Sequence, residues 1–164
     1  MVLRGVSLFF SGLFAGFLVC VMVLETSLRS FGAAVYTQVR LVELDSLDKL
    51  ASVTLIPAIV TTVAGVIWSR GNGRRLAIAA VALLVIVFVT TLAVNLPINS
   101  DQLSWSVQQP PADWAGVRDR WQIAHAVRTV AAVAAFGLLV GAAVRQRSGG
   151  RSSSPAVSEV RVGR

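Results

Sequence analysis

The chain has 164 residues, 55% of them hydrophobic and only 14% charged, with a mean hydropathy of +0.72. This is too apolar to clothe a water-soluble surface, and it predicts an integral, multi-pass protein of the cell membrane. The formal charge of +7 calls for no nucleic acid as partner, because most of the cations flank apolar runs or lie in a polar tail, where membrane lipids meet them. A helix needs about 20 residues to cross about 30 Å of hydrocarbon. Three uncharged runs meet that length, at residues 5–24, 50–68 and 76–94.

The first predicted span covers about residues 5–27. It is longer than the core of a signal peptide, and no small-x-small site follows it directly, so it is read as retained. "GLFAG" places Gly12 and Gly16 on one face as a small-xxx-small packing element, roughly opposite Glu25. Cys20, the lone cysteine, falls inside this span; it forms no intrachain disulfide and is expected as a buried thiol. The connection that follows is amphipathic: Tyr36, Arg40 and Glu43 recur at spacings of four and three, which predicts a short helix lying along the outer surface.

The second span is expected at 50–69, and "SRGNGRR" after it is a tight turn with Gly and Asn where positive φ is wanted. The third, at 76–97, ends in "NLPIN", with Asn95 and Asn99 on one face and Pro97 between them. Two readings stay open here. Either the missing N–H of Pro97 frees the Ala93 carbonyl and kinks a helix that continues, or the proline ends the helix at the interface and the asparagines cap it. In the second long connection, Trp105 and Trp114 suit the headgroup level, Pro110 and Pro111 stop what precedes them, and Asp113 is a candidate N-cap.

The fourth span, about 119–144, raises a question. Only 16 uncharged residues separate Arg128 from Arg145, about 24 Å of helix. To cross, it must carry Arg128, with His125 and Trp121, against the membrane. In one helix from Trp114, the residues Trp114, Arg118, Trp121, His125 and Arg128 fall within a stripe about 80° wide. Ala132, Ala135, Leu139 and Ala142 continue it. Such a stripe is expected to face other helices, the alternative being an Arg128 that snorkels outward. Counted along their helices, Glu25, Asn95, Asn99, His125 and Arg128 reach one level near the outer mouth of the bundle.

Nine basic residues (Arg4, Arg70, Arg74, Arg75, Arg145, Arg147, Arg151, Arg161 and Arg164) fall on one side and five (Arg29, Arg40, Lys49, Arg118 and Arg120) on the other. Both termini are therefore expected in the cytoplasm. The predicted architecture is all-α: an antiparallel four-helix membrane bundle over residues 1–146, followed by a disordered basic tail at 147–164.

"NLPIN", the proline-rich connection leading to "DWAGVRDRW", and Trp121-x3-His125-x2-Arg128 before an alanine-rich last span resemble the anthrone-oxygenase-like family of small four-span membrane proteins. The likeness runs over about residues 5–146. It implies this fold and, for some fungal members, oxidation of anthrones to anthraquinones.

The residue inventory narrows the chemistry. One histidine and one cysteine supply no bis-His haem, structural zinc site or two-histidine facial triad within one chain, so no metal and no cofactor are expected. If the protein is an enzyme, the chemistry that fits is proton abstraction from an acidic carbon, followed by direct reaction with oxygen. His125 is then the expected base and Arg128 the group that stabilises an enolate. Glu25, Asn95, Asn99, Trp121 and Tyr36 are the expected substrate-binding residues, with Glu25 pairing with Arg128 or holding the imidazole tautomer. The partner is a hydrophobic aromatic or lipid-like molecule, and the residues specify no oligomeric state. The competing expectation is a non-catalytic membrane protein in which the same polar layer locks the helices or docks a partner.

Overall fold

The computed structural model describes residues 2–69 and 71–151. Helix α1 is Val2–Ser27, a short 3-10 turn follows at Leu28–Ser30, and α2 is Ala33–Trp68. Helix α3, Gly71–Thr90, runs through a π-helical turn at Thr91–Asn95 into α4, Leu96–Gln102, and α5 is Trp114–Arg151. Among the described residues, four helical stretches are long and apolar enough to cross a membrane: Val2–Ser30, Ala33–Trp68, Gly73–Gln102 and Trp114–Arg145. The protein is an integral membrane protein built as a helix bundle. Helix α1 packs against α2 and α5, and α3 packs against the same two, so the spans form a ring.

Sequence periodicity explains which faces turn inward. The buried positions of α1 are Ser7, Ser11, Phe14, Ala15, Leu18, Val21 and Glu25, a run of threes and fours that keeps one stripe on the neighbours. Cys20 lies off that stripe and is exposed, which corrects the expected buried thiol. Gly12 does serve close packing, because a Cβ there would sit 2.9 Å from the Phe136 ring, whereas Gly16 meets nothing within 4 Å. Phe14, Leu18, Leu55, Leu84, Val87, Ala132 and Ala135 form the apolar middle of the bundle. The alanine stripe of α5 therefore faces the other helices.

Both ends of the ring are polar in different ways. Arg4, Ser69, Gly73 and Ala143 line one cavity, which puts the start of α1, the turn between α2 and α3, and the end of α5 at the same end. The turn is as tight as expected, with Gly71 at φ 59°, where a side chain would be strained. The far end carries the charged and amide residues described below.

One element there differs from expectation, and a second resolves a choice the sequence left open. The amphipathic segment is not a separate helix lying on the surface: it is the first half of α2, which runs unbroken for 36 residues, about 54 Å. Its buried residues, Tyr36, Thr37, Arg40, Glu43 and Leu44, gain more by packing on the bundle than on a lipid surface, since Tyr36, Arg40 and Glu43 meet polar side chains there. The chain also stays helical through Pro97. The π turn precedes it, Leu96 N–H closes on the Thr91 carbonyl, and the Asn95 side chain caps nothing. A proline that gives no N–H is absorbed by widening the turn before it, which settles the two readings in favour of the interrupted, continuing helix. Asp113 begins α5 with its carbonyl, which accepts from Gly116 and Val117. Helix α5 itself extends to Arg151, and the rest of the expected tail, 152–164, lies outside the described residues.

Candidate functional site

Arg40 is the hub of the polar end. Helix α2 stands it against α1 and α4, where its Nη1 meets Glu25 Oε1 at 3.1 Å and also pairs with Glu43 one turn along. Its Nε donates to Gln102 Oε1 at 3.1 Å and its Nη2 to Asn99 Oδ1 at 3.0 Å and Gln102 Oε1 at 2.9 Å. The guanidinium also lies over the Trp121 ring, 4.2 Å from its centre, which adds a cation–π contact. Gln102 Nε2 in turn reaches Tyr36 Oη at 3.4 Å.

Around the hub each helix adds a link. Asn99 Oδ1 also accepts from Trp121 Nε1 at 2.7 Å, and Asn99 Nδ2 donates to both carboxylate oxygens of Asp48 at 3.2 and 3.1 Å. Gln122 Nε2 donates to Glu25 twice, to the backbone carbonyl at 2.7 Å and to Oε2 at 2.9 Å. Arg29 caps this corner by donating to Gln122 and pairing with Asp119. Glu25 thus serves Arg40 and Gln122, which replaces its expected partnership with Arg128 or the imidazole. The reason is the upright α2, which delivers a nearer cation.

His125 and Arg128 form a second, different unit. The imidazole stacks on Trp121, with ring centres 4.8 Å apart and planes 7° from parallel. Its Nε2 is 3.0 Å from the Leu18 carbonyl. A carbonyl only accepts, so Nε2 carries the proton. Nδ1 is then free to accept from Arg128 Nη2 at 2.7 Å. Arg128 Nη1 donates to the Thr91 hydroxyl at 3.1 Å, and this hydroxyl sits in the π turn. Among the described residues no carboxylate pairs with Arg128, its Nε has no partner, and the residue is only 8% exposed.

A small recess with about 30 Å³ of free volume lies between these units. Its polar walls are Arg40, Glu43, Asp48, Asn99, His125 and Arg128, and its apolar walls are Phe17, Val21, Leu47, Ala51 and the Trp121 ring. Of the residues expected from sequence to bind substrate or to act, Asn99, Trp121, His125 and Arg128 line it. Glu25, Asn95 and Tyr36 do not; all three are fully buried behind it, and Asn95 makes a 3.4 Å contact to the Trp121 carbonyl.

Arg40, Glu43 and Asp48 are the polar lining residues that site reasoning from sequence left out. The spacing of Tyr36, Arg40 and Glu43 was the available signal, but a segment assigned to the membrane surface does not point into a bundle. Among the described residues no group of three or more His, Cys, Asp or Glu side chains is placed to hold a metal ion.

No curated protein and no solved structure matches the chain. The family model for anthrone oxygenase matches residues 45–138, more than half of the 164 residues. That stretch contributes Asp48, Asn99, Trp121, His125 and Arg128 to the recess, while Arg40 and Glu43 lie just before it. A four-span helix bundle with Asn95-x-Pro97-x-Asn99 and Trp121-x3-His125-x2-Arg128 at its polar end, matched over these residues, belongs to the anthrone oxygenase family.

Proposed function

We propose that the bundle widens at this recess to bind an anthrone-like aromatic compound with an acidic C–H and an oxygen conjugated to it, and that the protein oxidises it with dioxygen without a resident cofactor. The observation that carries this reading is the Arg128 guanidinium, which lines the recess, is buried, and has no carboxylate within ion-pair distance among the described residues, Asp48 acting on it only from farther off in the same recess. A buried cation in that state favours an anionic oxygen beside it. Trp121, Phe17 and Leu47 supply flat and apolar surface for fused rings.

Loss of a proton from the acidic carbon leaves an electron pair spread onto the conjugated oxygen, next to Arg128. His125, the base expected from sequence, has both ring nitrogens engaged. In this reading it holds the guanidinium in place with its Nδ1. The carbanion then passes electrons to dioxygen and forms a C–O bond. The resulting hydroperoxide loses water to leave a carbonyl. One dioxygen is consumed per substrate, one of its oxygen atoms ending in the quinone and the other in water with the two hydrogens of the CH2 group.

The non-catalytic reading has its own support in the Arg40 cluster, whose guanidinium is met by four side chains from three helices. Both roles fit one protein: Arg40 locks the helices, and Arg128 faces the ligand. Oxygen uptake by the purified protein in detergent, measured over a panel of anthrones and hydroquinones together with ligand-induced shifts in melting temperature, tests the proposal. Uptake equal to quinone formed is the expected result. Neither uptake nor any shift across the panel would leave only the lock.

The same reading includes an orientation. The basic residues near the termini and in the turn between α2 and α3 outnumber those at the polar end, which supports cytoplasmic termini and a recess reached from the outer leaflet.

A further inference from the structure

At the end of the bundle opposite the recess, we propose a binding site for one anionic phospholipid, with its phosphate on Arg4 and Ser69 and an acyl chain in the gap at Gly65. An open cleft with about 500 Å³ of free volume lies there between the start of α1 and the end of α2, lined by Leu3, Arg4, Gly65, Trp68 and Ser69. A smaller cavity beside it shares Arg4, Gly65 and Ser69 and reaches inward to Ser7, Thr62 and Gly73. The missing side chain at Gly65 helps to open the cleft, since a Cβ there would meet nothing within 4 Å. Both walls belong to helices long and apolar enough to cross the membrane, Val2–Ser30 and Ala33–Trp68. A cleft on such a face is surrounded by lipid, so the molecules at hand to fill it are those of the adjoining leaflet.

The polar groups of the cleft suit a phosphate. Arg4 is exposed and pairs with no carboxylate among the described residues. Ser69 is only 7% exposed, and its hydroxyl has no hydrogen-bond partner among the described residues. Gly73 brings the first turn of α3 to the inner cavity, and the N–H groups of a helix start lack partners within the helix and favour an anion. A guanidinium, a hydroxyl and a helix start can share the oxygens of one phosphate. Net charge then separates anionic lipids from zwitterionic ones. Every Asp and Glu of the described residues falls within 25–48 or 101–119, at the end that holds the recess, while Arg74 and Arg75 stand exposed at this end and add to its positive field. The ammonium of a zwitterionic headgroup would therefore meet cations and no carboxylate. Trp68, 71% exposed at the end of its span, matches the headgroup level where amphipathic rings sit.

Delipidated protein in detergent, titrated with phosphatidylglycerol or with phosphatidylcholine of the same acyl chains, tests the site by native mass spectrometry and melting temperature. One phosphatidylglycerol is expected to stay on each protein, to bind about tenfold more tightly than phosphatidylcholine, and to raise the melting temperature. Arg4→Gln should bring the two lipids to within about threefold of each other. Arg75→Gln, which alters an exposed residue outside the cleft, should keep the preference. Gly65→Phe changes no charge and fills the cleft, so it should lose the retained lipid; Gly65→Leu takes its place should Gly65→Phe not fold. Glycerol phosphate carries the anion without the chains and should give no shift at the same concentration. A shift equal to the lipid's would overturn the lipid as occupant. Equal affinity of wild type for the two lipids, an unchanged preference in Arg4→Gln, a loss in Arg75→Gln as deep as in Arg4→Gln, or full retention in the folded Gly65 variant would each overturn the site. None of these readouts depends on the oxidation.

Discussion

Arg40 and Arg128 sit in one polar layer and carry the same charge, yet their surroundings assign them opposite consequences on removal. Arg40 neutralises two buried carboxylates. Arg40→Leu would leave both without a cation, a loss of about 3–5 kcal/mol for a broken buried pair. Arg128 has a hydroxyl and an imidazole as partners, both neutral, so Arg128→Met should cost only about 1 kcal/mol while abolishing oxygen uptake. Unfolding in detergent and an oxygen electrode, applied to the same two variants, measure this contrast; equal destabilisation would mean that Arg128 is a structural cation after all. A mutant cycle refines the point. Glu25→Gln and Arg40→Gln should be strongly non-additive, with a coupling on the order of 1–3 kcal/mol, whereas Glu25→Gln and Arg128→Gln should be additive to within about 0.5 kcal/mol.

The π turn at Thr91–Asn95 is where an element, rather than a side chain, serves the site. It turns the Thr91 hydroxyl to Arg128 and is imposed by a proline that gives no N–H. Pro97→Ala would restore the donor and let the segment relax to an ordinary α-helix, rotating Thr91 and Asn95 relative to Asn99. The expected outcome is a melting temperature unchanged or higher with oxygen uptake reduced at least tenfold; unchanged uptake would show that the widened turn is incidental. Packing of α1 gives a separate test. Gly12 faces the Phe136 ring and Gly16 faces open space. Gly12→Leu should therefore lower the melting temperature by several degrees, an overpacking cost of about 1–3 kcal/mol, and Gly16→Leu should leave it nearly unchanged.

For the whole molecule the decisive coordinate is which end faces the cytoplasm. In a Cys20→Ser background, which removes the exposed native thiol, Gln108→Cys should react with a membrane-impermeant reagent in intact cells and Arg147→Cys should not, in line with the distribution of basic residues. The reverse pattern would place the recess toward the cytoplasm and require its ligand to arrive from that side.

The four spans, the helical fold and the inward stripe of α5 were legible in the sequence, because hydrophobic length and the 3.6-residue period are local properties. The family was legible too, in "NLPIN" and Trp121-x3-His125-x2-Arg128. Only tertiary structure decided that Tyr36, Arg40 and Glu43 stand upright as part of α2 rather than along the surface. An amphipathic pattern states that one face is apolar and does not say whether lipid or protein will cover it. Pairing was likewise beyond the one-dimensional pattern: Glu25 had several cations within reach by level, and the ring order of the helices chose Arg40. The same packing gave one His125 nitrogen the Leu18 carbonyl and left the other for Arg128, one turn along the same helix, because the first of these partners is set by a neighbour that lies far away in the chain.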